Sequence, residues 1–162
     1  MAPAKHPIPQ GYYTVTPQLT FDNAAQAIDW YKNALGAKEI SRAPGPDGKI
    51  MHADIQIGNS HIMLNDPIGN KGPKALGGSP AALWLYVEDC DALFNRAVAA
   101  GGQVHGPMGK MADQFWGDRS GTFLDPFGYQ WTIATHKEDL TPQELQKRAD
   151  EFMKHMAAQP AH

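Results

Sequence analysis

Apolar residues follow a helical period within residues 19–40, between stretches in which they alternate with polar residues. The apolar positions of one helical side are Ala27, Tyr31, Ala34 and Leu35. Asn23, with Gln26 three residues later, has the form of an N-terminal capping box, and Gly36 is a residue type that ends helices. The pattern predicts a strand, a helix that begins at Asp22 or Asn23 and stops at Gly36, and a further strand.

The same pattern returns 66 positions further along the chain, in residues 85–104. Asp89 takes the place of Asn23 as the helix cap, and Gly102 takes the place of Gly36 as the stop. The repetition predicts two copies of one structural unit within the chain.

Each copy is followed by a stretch that is typical of a hairpin, residues 49–64 in the first half and 121–134 in the second. In the second hairpin Pro126 fixes φ, Gly128 is free to take a positive φ, and the Asp125 side chain is placed to cap the turn. Each half is therefore predicted to be β-α-β-β-β, which makes the fold class α+β.

The ends of the chain lie outside the repeat. Residues 1–11 hold three prolines and predict a flexible segment, whereas residues 140–158 predict a helix with Thr141 as its N-cap, Pro142 at its first position and Glu144 in a capping box. The apolar face of this helix consists of Leu145, Ala149, Phe152, Met153 and Met156. This face is expected to pack on the chain's own sheet or on a partner subunit.

Composition limits the possible partners. The net charge of −3 and the scattered Lys and Arg residues argue against a nucleic-acid partner, and no apolar run approaches the roughly 20 residues of a membrane helix. The first ten residues lack the apolar core of a secretion signal, and the single cysteine, Cys90, permits no internal disulfide. We therefore expect a cytoplasmic protein. The three acids around Cys90 disfavour a catalytic thiolate.

Alternation with a period of two divides each predicted strand into an apolar face and a second face. The strand over 15–21 is expected to direct Val15 toward the core, and the strand over 51–57 is expected to do the same with Met51. The second faces carry histidines, amides, hydroxyls and two large aromatic residues, Trp84 and Tyr86. A half-solvated sheet face is the ordinary interpretation, but large aromatic side chains favour a concave ligand site.

The segment DQFWGDRSGTFLDPFG, residues 113–128, adds further candidates. Asp118 and Arg119 are expected to pair and hold the loop, although the planar guanidinium also suits a ligand carboxylate or phosphate. Trp116 suits either the edge of a pocket or a position packed under the hairpin. His136 and Asp139 are expected to fix the final helix. The candidate ligand-binding residues are Thr16, Gln18, His52, Asp54, Gln56, His61, Trp84, Tyr86, Trp116, Arg119 and Thr132.

The paired halves, the stretches FDNAAQAIDWYKNALGA, VEDCDALFNRAVAAGG and MHADIQIG, and above all DQFWGDRSGTFLDPFGYQWTIATHKEDL resemble the vicinal-oxygen-chelate superfamily. This superfamily includes glyoxalases, bleomycin-resistance proteins and extradiol dioxygenases. The resemblance implies one domain over residues 12–139, with modules at about 12–70 and 80–136, and then the helix 140–158. It also implies that the modules form a cupped, partly open barrel-like sheet, often completed by a second subunit, and therefore a homodimer.

Enzymes of the superfamily hold a divalent metal with His or Glu from the first and last strand of each module. The resemblance places these positions at Thr16, Met63, Ala82 and Thr132, none of which is a His or a carboxylate. A shifted register would add only His61, so no metal or other cofactor is predicted. The arrangement is more similar to the resistance proteins, which bind a drug in the cup without metal.

Three functions follow as hypotheses. The first is a protein that sequesters a partly aromatic or anionic small molecule in the cup. The second is a lyase, isomerase or dioxygenase of the same superfamily that uses a non-standard metal site or proton transfer by His52, with Asp54 about 6–7 Å away along the strand. The third is an interaction module that acts through its terminal helix.

Overall fold

The structure, a computed structural model, describes residue 4 and residues 6–158. Its fold is α+β, as predicted. The strands are β1 (Gln18–Thr20), β2 (Lys38–Pro44), β3 (Ile50–Ile57), β4 (Ser60–Asn65), β5 (Ala82–Tyr86), β6 (Gln103–Val104), β7 (Ala112–Asp113), β8 (Asp118–Leu124) and β9 (Gln130–His136). The helices are α1 (Ala24–Leu35), α2 (Pro73–Leu76), α3 (Cys90–Ala99) and α4 (Pro142–Ala158). Part of the segment 1–11, predicted to be flexible, lies outside the described residues.

The strands of the described residues form two sheets with the same connectivity. The first has the order β1-β4-β3-β2, and the second has the order β5-β9-β8-β6, with β7 also paired to β8. In each sheet the first strand of the half runs parallel to its last strand, β1 to β4 and β5 to β9, and the other pairs are antiparallel. The internal duplication inferred from the sequence is thus present in the fold.

The helix ends follow their capping residues, with one exception. The Asn23 side chain accepts a hydrogen bond from the backbone N–H of Gln26, Asp89 caps α3 in the same way, and Gly36 ends α1 at a φ of +67°. Helix α3 ends at Ala99, before the predicted stop at Gly102, and the positive φ that follows it falls at Gly101 (+108°). Gly102 is required for a different reason, because a Cβ there would lie 2.8 Å from the Phe123 ring.

The turn of residues 125–128, with its buried Asp125, joins the two halves of the molecule. Asp125 Oδ1 accepts hydrogen bonds from the backbone N–H groups of Phe127 and Tyr129, so it caps the turn as predicted. Its Oδ2 accepts bonds from the Tyr31 hydroxyl on α1 and from Trp131 Nε1. A single carboxylate therefore connects the helix of the first half to the hairpin of the second.

Two core predictions in the first half are wrong. Val15 is 83% exposed, because the chain joins β4 as a strand only from Gln18 onward. Met51 is 52% exposed, because the pairing of β2 with β3 skips it and Ile50 takes the buried position instead. Beyond this bulge the predicted alternation holds, and Ala53 is fully buried.

Helix α4 contacts the rest of the molecule along a narrow line. Thr141 and Glu144 form the predicted capping box, and the Phe152 ring packs on Phe115 at a centroid distance of 5.0 Å. Leu145 and Met153, on the predicted packing face, are exposed. Among the described residues, no helix is long and apolar enough to cross a membrane.

Candidate ligand-binding site

The face of each sheet that points away from α1 and α3 is called its inner face here. On the second sheet Leu83, Leu85 and Trp131 pack toward the core, so the alternating residues Trp84 and Tyr86 project from the inner face. Both of these aromatic side chains are exposed, Trp84 at 48% and Tyr86 at 59%. The two large aromatic residues singled out in the sequence therefore lie side by side, with ring centroids 6.2 Å apart.

A cavity of about 350 Å³ opens on this inner face and is called the second-sheet pocket here. Its strand and rim residues are Trp84, Trp116, Ser120, Thr122, Gln130 and Thr132, and the loop of residues 105–108 closes one side. The rings of Trp84 and Trp116 stand 6.3 Å apart at 60°. The structure thus brings together three of the predicted ligand-binding residues, Trp84, Trp116 and Thr132, in one pocket.

Asp118 holds Trp116, at the rim of the second-sheet pocket, and the neighbouring Tyr86 in place. Its carboxylate accepts hydrogen bonds from the Tyr86 hydroxyl (2.9 Å) and from Trp116 Nε1 (3.0 Å) through Oδ2. Its Oδ1 lies 2.7 Å from His136 Nδ1, and His136 Nε2 in turn lies 3.0 Å from Asp139, just before α4. His136 and Asp139 thus contact each other in the segment before α4, while an ion pair to the helix itself joins Glu138 to Arg148, so the expectation that His136 and Asp139 fix the final helix stays a prediction.

The electrostatics of this network favour a charged pair. Burial acts to raise the pKa of Asp118, but the hydrogen bonds from His136, Tyr86 and Trp116 outweigh burial and lower that pKa below its ordinary value. The bonds to Asp118 and then to Asp139 raise the pKa of His136. Burial and the Asp118 bond raise the pKa of Tyr86, so its hydroxyl stays a neutral donor.

Arg119 lies on the opposite face of the sheet from the pocket. Its guanidinium makes two 2.7 Å hydrogen bonds to the Asp91 carboxylate at the start of α3, and a third of 3.1 Å to Asp113. The bond to Asp91, followed by that to Asp113, raises the pKa of Arg119. The predicted Asp118–Arg119 pair is therefore wrong, because neighbouring strand residues point to opposite faces. The structure does not bring this cation together with the other candidates.

The inner face of the first sheet carries a second group of predicted residues. His61 Nδ1 lies 2.8 Å from Asp54 Oδ1, and both side chains are buried. The Tyr12 ring covers His61 at a centroid distance of 4.2 Å and an interplanar angle of 23°. Asp54 Oδ2 has no hydrogen-bond partner. The partner of Asp54 is therefore His61 and not His52, the histidine considered for proton transfer.

The remaining predicted residues lie around these two groups. Thr16 and His61 line a junction cavity of about 270 Å³, which Trp84 also borders from the second sheet. Gln18 donates from Nε2 to Asn65 Oδ1 at 3.0 Å on the first sheet. His52 and Gln56 are half-buried on β3. These residues lie on or beside the inner face of the first sheet, and they do not form a second group of charged side chains.

A family model described as the Glyoxalase/Bleomycin resistance protein/Dioxygenase superfamily matches residues 13–133. The chain belongs to this superfamily. The uncharacterized protein Rv0887c of Mycobacterium tuberculosis is 42% identical over 138 residues, which cover 82% of this chain and 79% of that protein.

Solved structures of other proteins share the fold. TioX from Micromonospora sp. ML1 has 24% sequence identity and a TM-score of 0.59, with 80% of this chain and all of that chain (100%) covered. A bleomycin-binding protein solved in complex with bleomycin has 19% identity and a TM-score of 0.56, with 77% of this chain and 99% of that chain covered. At these identities the similarity concerns the fold alone.

The donor set of this superfamily member does not fit a divalent metal at the strand positions that the resemblance implies. In the structure Met63 is paired with Gln18, and Thr132 is paired with Trp84, so the first-strand positions lie two residues beyond those assigned from the sequence. None of the four residues at these positions, Gln18, Met63, Trp84 and Thr132, is a His or a carboxylate, the donors that such ions prefer in proteins. Within the part of the chain that the structure describes, no group of three or more His, Cys, Asp or Glu residues is arranged to hold a metal ion.

Several site residues of this superfamily member were absent from the sequence prediction. Ser120 and Thr122 share the phase of Asp118 along β8, so period-two alternation contains the signal that places them on the inner face. The loop 105–108 is marked as a turn by its Gly-Pro step, but not as a pocket wall. Tyr12 gives no local signal, because its stacking on His61 joins residues 49 positions apart.

Proposed function

We propose that this protein binds a planar, partly aromatic small molecule in the second-sheet pocket and sequesters it. The observation that carries the proposal is the exposed Trp84 beside the half-buried Trp116, in a cavity with no Lys, Arg, Asp or Glu among its described lining residues. Large aromatic faces with few charges favour a flat, weakly polar ligand.

The rigidity of the rim supports the same proposal. The indole N–H of Trp116 and the hydroxyl of Tyr86 are both held by Asp118, so these rings are ordered before a ligand arrives. Preorganised side chains lose less rotational freedom on binding, which leaves more of the stacking energy for affinity.

The aromatic part of the expected ligand is better supported than the anionic part. An anion would need a free cation near the pocket, and Arg119 is already bound to Asp91 and Asp113 on the other face. His105 is the titratable side chain that lines the pocket within the described residues. The related bleomycin-binding protein, whose fold this chain shares, was solved with bleomycin, which makes bleomycin a reasonable first compound to test.

The homodimer implied by the resemblance is part of this proposal. The second-sheet pocket is open on one side, and its volume of about 350 Å³ lies near the lower end of the usual 300–1,000 Å³ range for small-molecule sites. A second copy of the chain facing the open side would enlarge and close it. Sedimentation velocity with and without a bound compound tests this part separately.

Tryptophan fluorescence tests the binding proposal. Acridine, a neutral three-ring compound, and bleomycin are titrated against the protein, with 2-naphthoate as an anionic aromatic comparison. We expect acridine to quench the emission with saturation, and Trp84→Leu to weaken its binding about 10-fold or more, in line with stacking energies of about 1–3 kcal/mol. Met153→Ala, an exposed change on α4, is the matched control and is expected to bind as the wild type does.

Two results contradict the proposal. The first is equal acridine affinity in the wild type and Trp84→Leu. The second is saturable binding of 2-naphthoate with no response to acridine, which would favour the anionic ligand instead.

A further inference from the structure

We propose that the inner face of the first sheet is a second ring-binding subsite, selective for a planar ring that bears an N–H or O–H donor, and that the chain's own Tyr12 occupies it. The inference rests on the proposed function, that the protein binds planar molecules. It adds the chemistry of a second position and a competition between the ligand and the N-terminal segment.

The stacking of Tyr12 on His61 is the first observation. The two rings are nearly parallel, 23° apart, with centroids 4.2 Å from each other. This is the geometry that a flat heterocycle adopts on an imidazole face. His61 also borders the junction cavity that reaches Trp84, so a ligand ring in place of Tyr12 would lie near the second-sheet pocket.

The unpaired oxygen of Asp54 is the second, independent observation. Asp54 is fully buried, its Oδ1 is bonded to His61, and its Oδ2 has no partner. A buried carboxylate oxygen without a donor destabilises a fold, so such a group usually has a partner that remains to be found. Tyr12 stacks on His61, the partner of Asp54, and gives no hydrogen bond to Oδ2.

The equivalent position in the second sheet explains why a donor is missing. On β4 the residue opposite Asp54 is Met63, whose thioether has no proton to donate. In the second sheet the corresponding pair is Thr122 and Thr132, whose hydroxyls bond to each other at 2.8 Å. The second sheet satisfies itself at this point, and the first sheet leaves an acceptor open to a donor from outside.

The segment that carries Tyr12 is attached weakly. Among the described residues, one hydrogen bond joins residues 11–13 to the first sheet, from Asn59 Nδ2 to the Tyr13 hydroxyl at 3.3 Å. The backbone N–H of Tyr12 bonds within its own segment, to Pro9. Displacing Tyr12 therefore breaks mainly the ring contact that an incoming ring replaces.

The experiment compares 2-aminoacridine with acridine, two compounds of the same ring system that differ by one amino donor. Binding is followed by tryptophan fluorescence and by the NMR signals of the His61 imidazole, in the wild type, Tyr12→Ala and Tyr12→Phe. We expect Tyr12→Ala to bind 2-aminoacridine about 10-fold more tightly, because the competing occupant is removed. Tyr12→Phe keeps the ring and is expected to behave as the wild type.

The His61 signals identify the subsite, and the Trp84→Leu background isolates it. In the double variant Tyr12→Ala with Trp84→Leu, the affinity of each compound is read from the shift of the His61 signals. We expect this affinity to be at least 5-fold higher for 2-aminoacridine than for acridine, because only the amino compound can donate a hydrogen bond to Asp54. This comparison avoids a substitution of the buried Asp54.

Two outcomes overturn the inference. The first is that 2-aminoacridine binds Tyr12→Ala with an affinity within 2-fold of its affinity for the wild type. The second is that 2-aminoacridine and acridine show equal affinities when binding is read from the His61 signals. Either outcome can occur while Trp84-dependent binding of acridine persists, so failure of this inference is distinguishable from failure of the proposed function.

Discussion

The carboxylate of Asp125 offers the sharpest test of how the two halves are held together. Replacing Asp125 by Ala removes the acceptor of four hydrogen bonds at once, two to the backbone of the 125–128 turn and two to Tyr31 and Trp131. These side chains are buried, so water cannot easily replace the lost acceptor. We expect the free energy of unfolding to fall substantially.

The magnitude follows from the donors that are left without a partner. Phe127 is half-buried, whereas Tyr31, Tyr129 and Trp131 are buried, so the last three count as buried donors. At about 1–3 kcal/mol for each unsatisfied buried group, with partial relief from rotation of the Tyr31 hydroxyl, Asp125→Ala should cost about 4 kcal/mol. That is a large part of the 5–15 kcal/mol that stabilises an ordinary domain.

Urea denaturation, followed by circular dichroism, measures the loss, and two variants calibrate it. Tyr31→Phe removes one donor and leaves three on Asp125, so it should cost about 1 kcal/mol. Asp113→Ala changes an exposed carboxylate and should cost less than about 0.5 kcal/mol. If Asp125→Ala costs no more than Tyr31→Phe, the turn is solvated and the carboxylate does not join the halves.

Three further predictions concern the pocket and its supports. His136→Gln should reduce stability most between about pH 4 and 6.5. Below this range Asp118, whose pKa is lowered in the fold, becomes protonated and loses its contribution, and above it His136, whose pKa is raised, loses its proton and its contribution. Urea midpoints of wild type and variant that differ by a constant amount from pH 3 to 9 contradict this. Gly117→Ala should cost about 2 kcal/mol or more in the same assay, because φ is +95° and a Cβ would lie 2.5 Å from the Glu138 carbonyl oxygen. Trp116→Phe keeps a ring but loses the bond to Asp118, and it should weaken acridine binding about 3- to 10-fold in a fluorescence titration; an unchanged affinity would mean that the indole orientation does not matter.

Much of the fold was predictable because its signals are local. The caps at Asn23 and Asp89 and the positive φ at Gly36 and Gly128 depend on a few neighbouring residues, and the structure has them where the sequence indicates. The errors at Val15 and Met51 have a common origin. Both require knowledge of where a strand begins to pair or skips a residue, and pairing is decided by the partner strand.

The site was less predictable because its decisive contacts join distant residues. From the sequence Arg119 could be assigned to a ligand or to Asp118, and neither assignment includes Asp91, 28 residues away, which it binds in the structure. The partner of Asp54 is likewise chosen by strand register, which places His61 within reach and leaves His52 outside it. Alternation identifies a face of a strand, but it does not identify the neighbour across that face.

The two halves share a topology and differ in the side chains on their inner faces, and under the proposed function this difference would set the selectivity for a ligand. Position 18 is Gln in the first sheet, and the corresponding position 84 is Trp, each paired to the last strand of its half. The amide is bonded within its own sheet, while the indole stands exposed beside a cavity. Because the backbone is duplicated, the binding we propose would bring a planar ligand against two similar surfaces that differ in chemistry, the exposed Trp84 on one sheet and the buried Asp54 with its unpaired oxygen on the other.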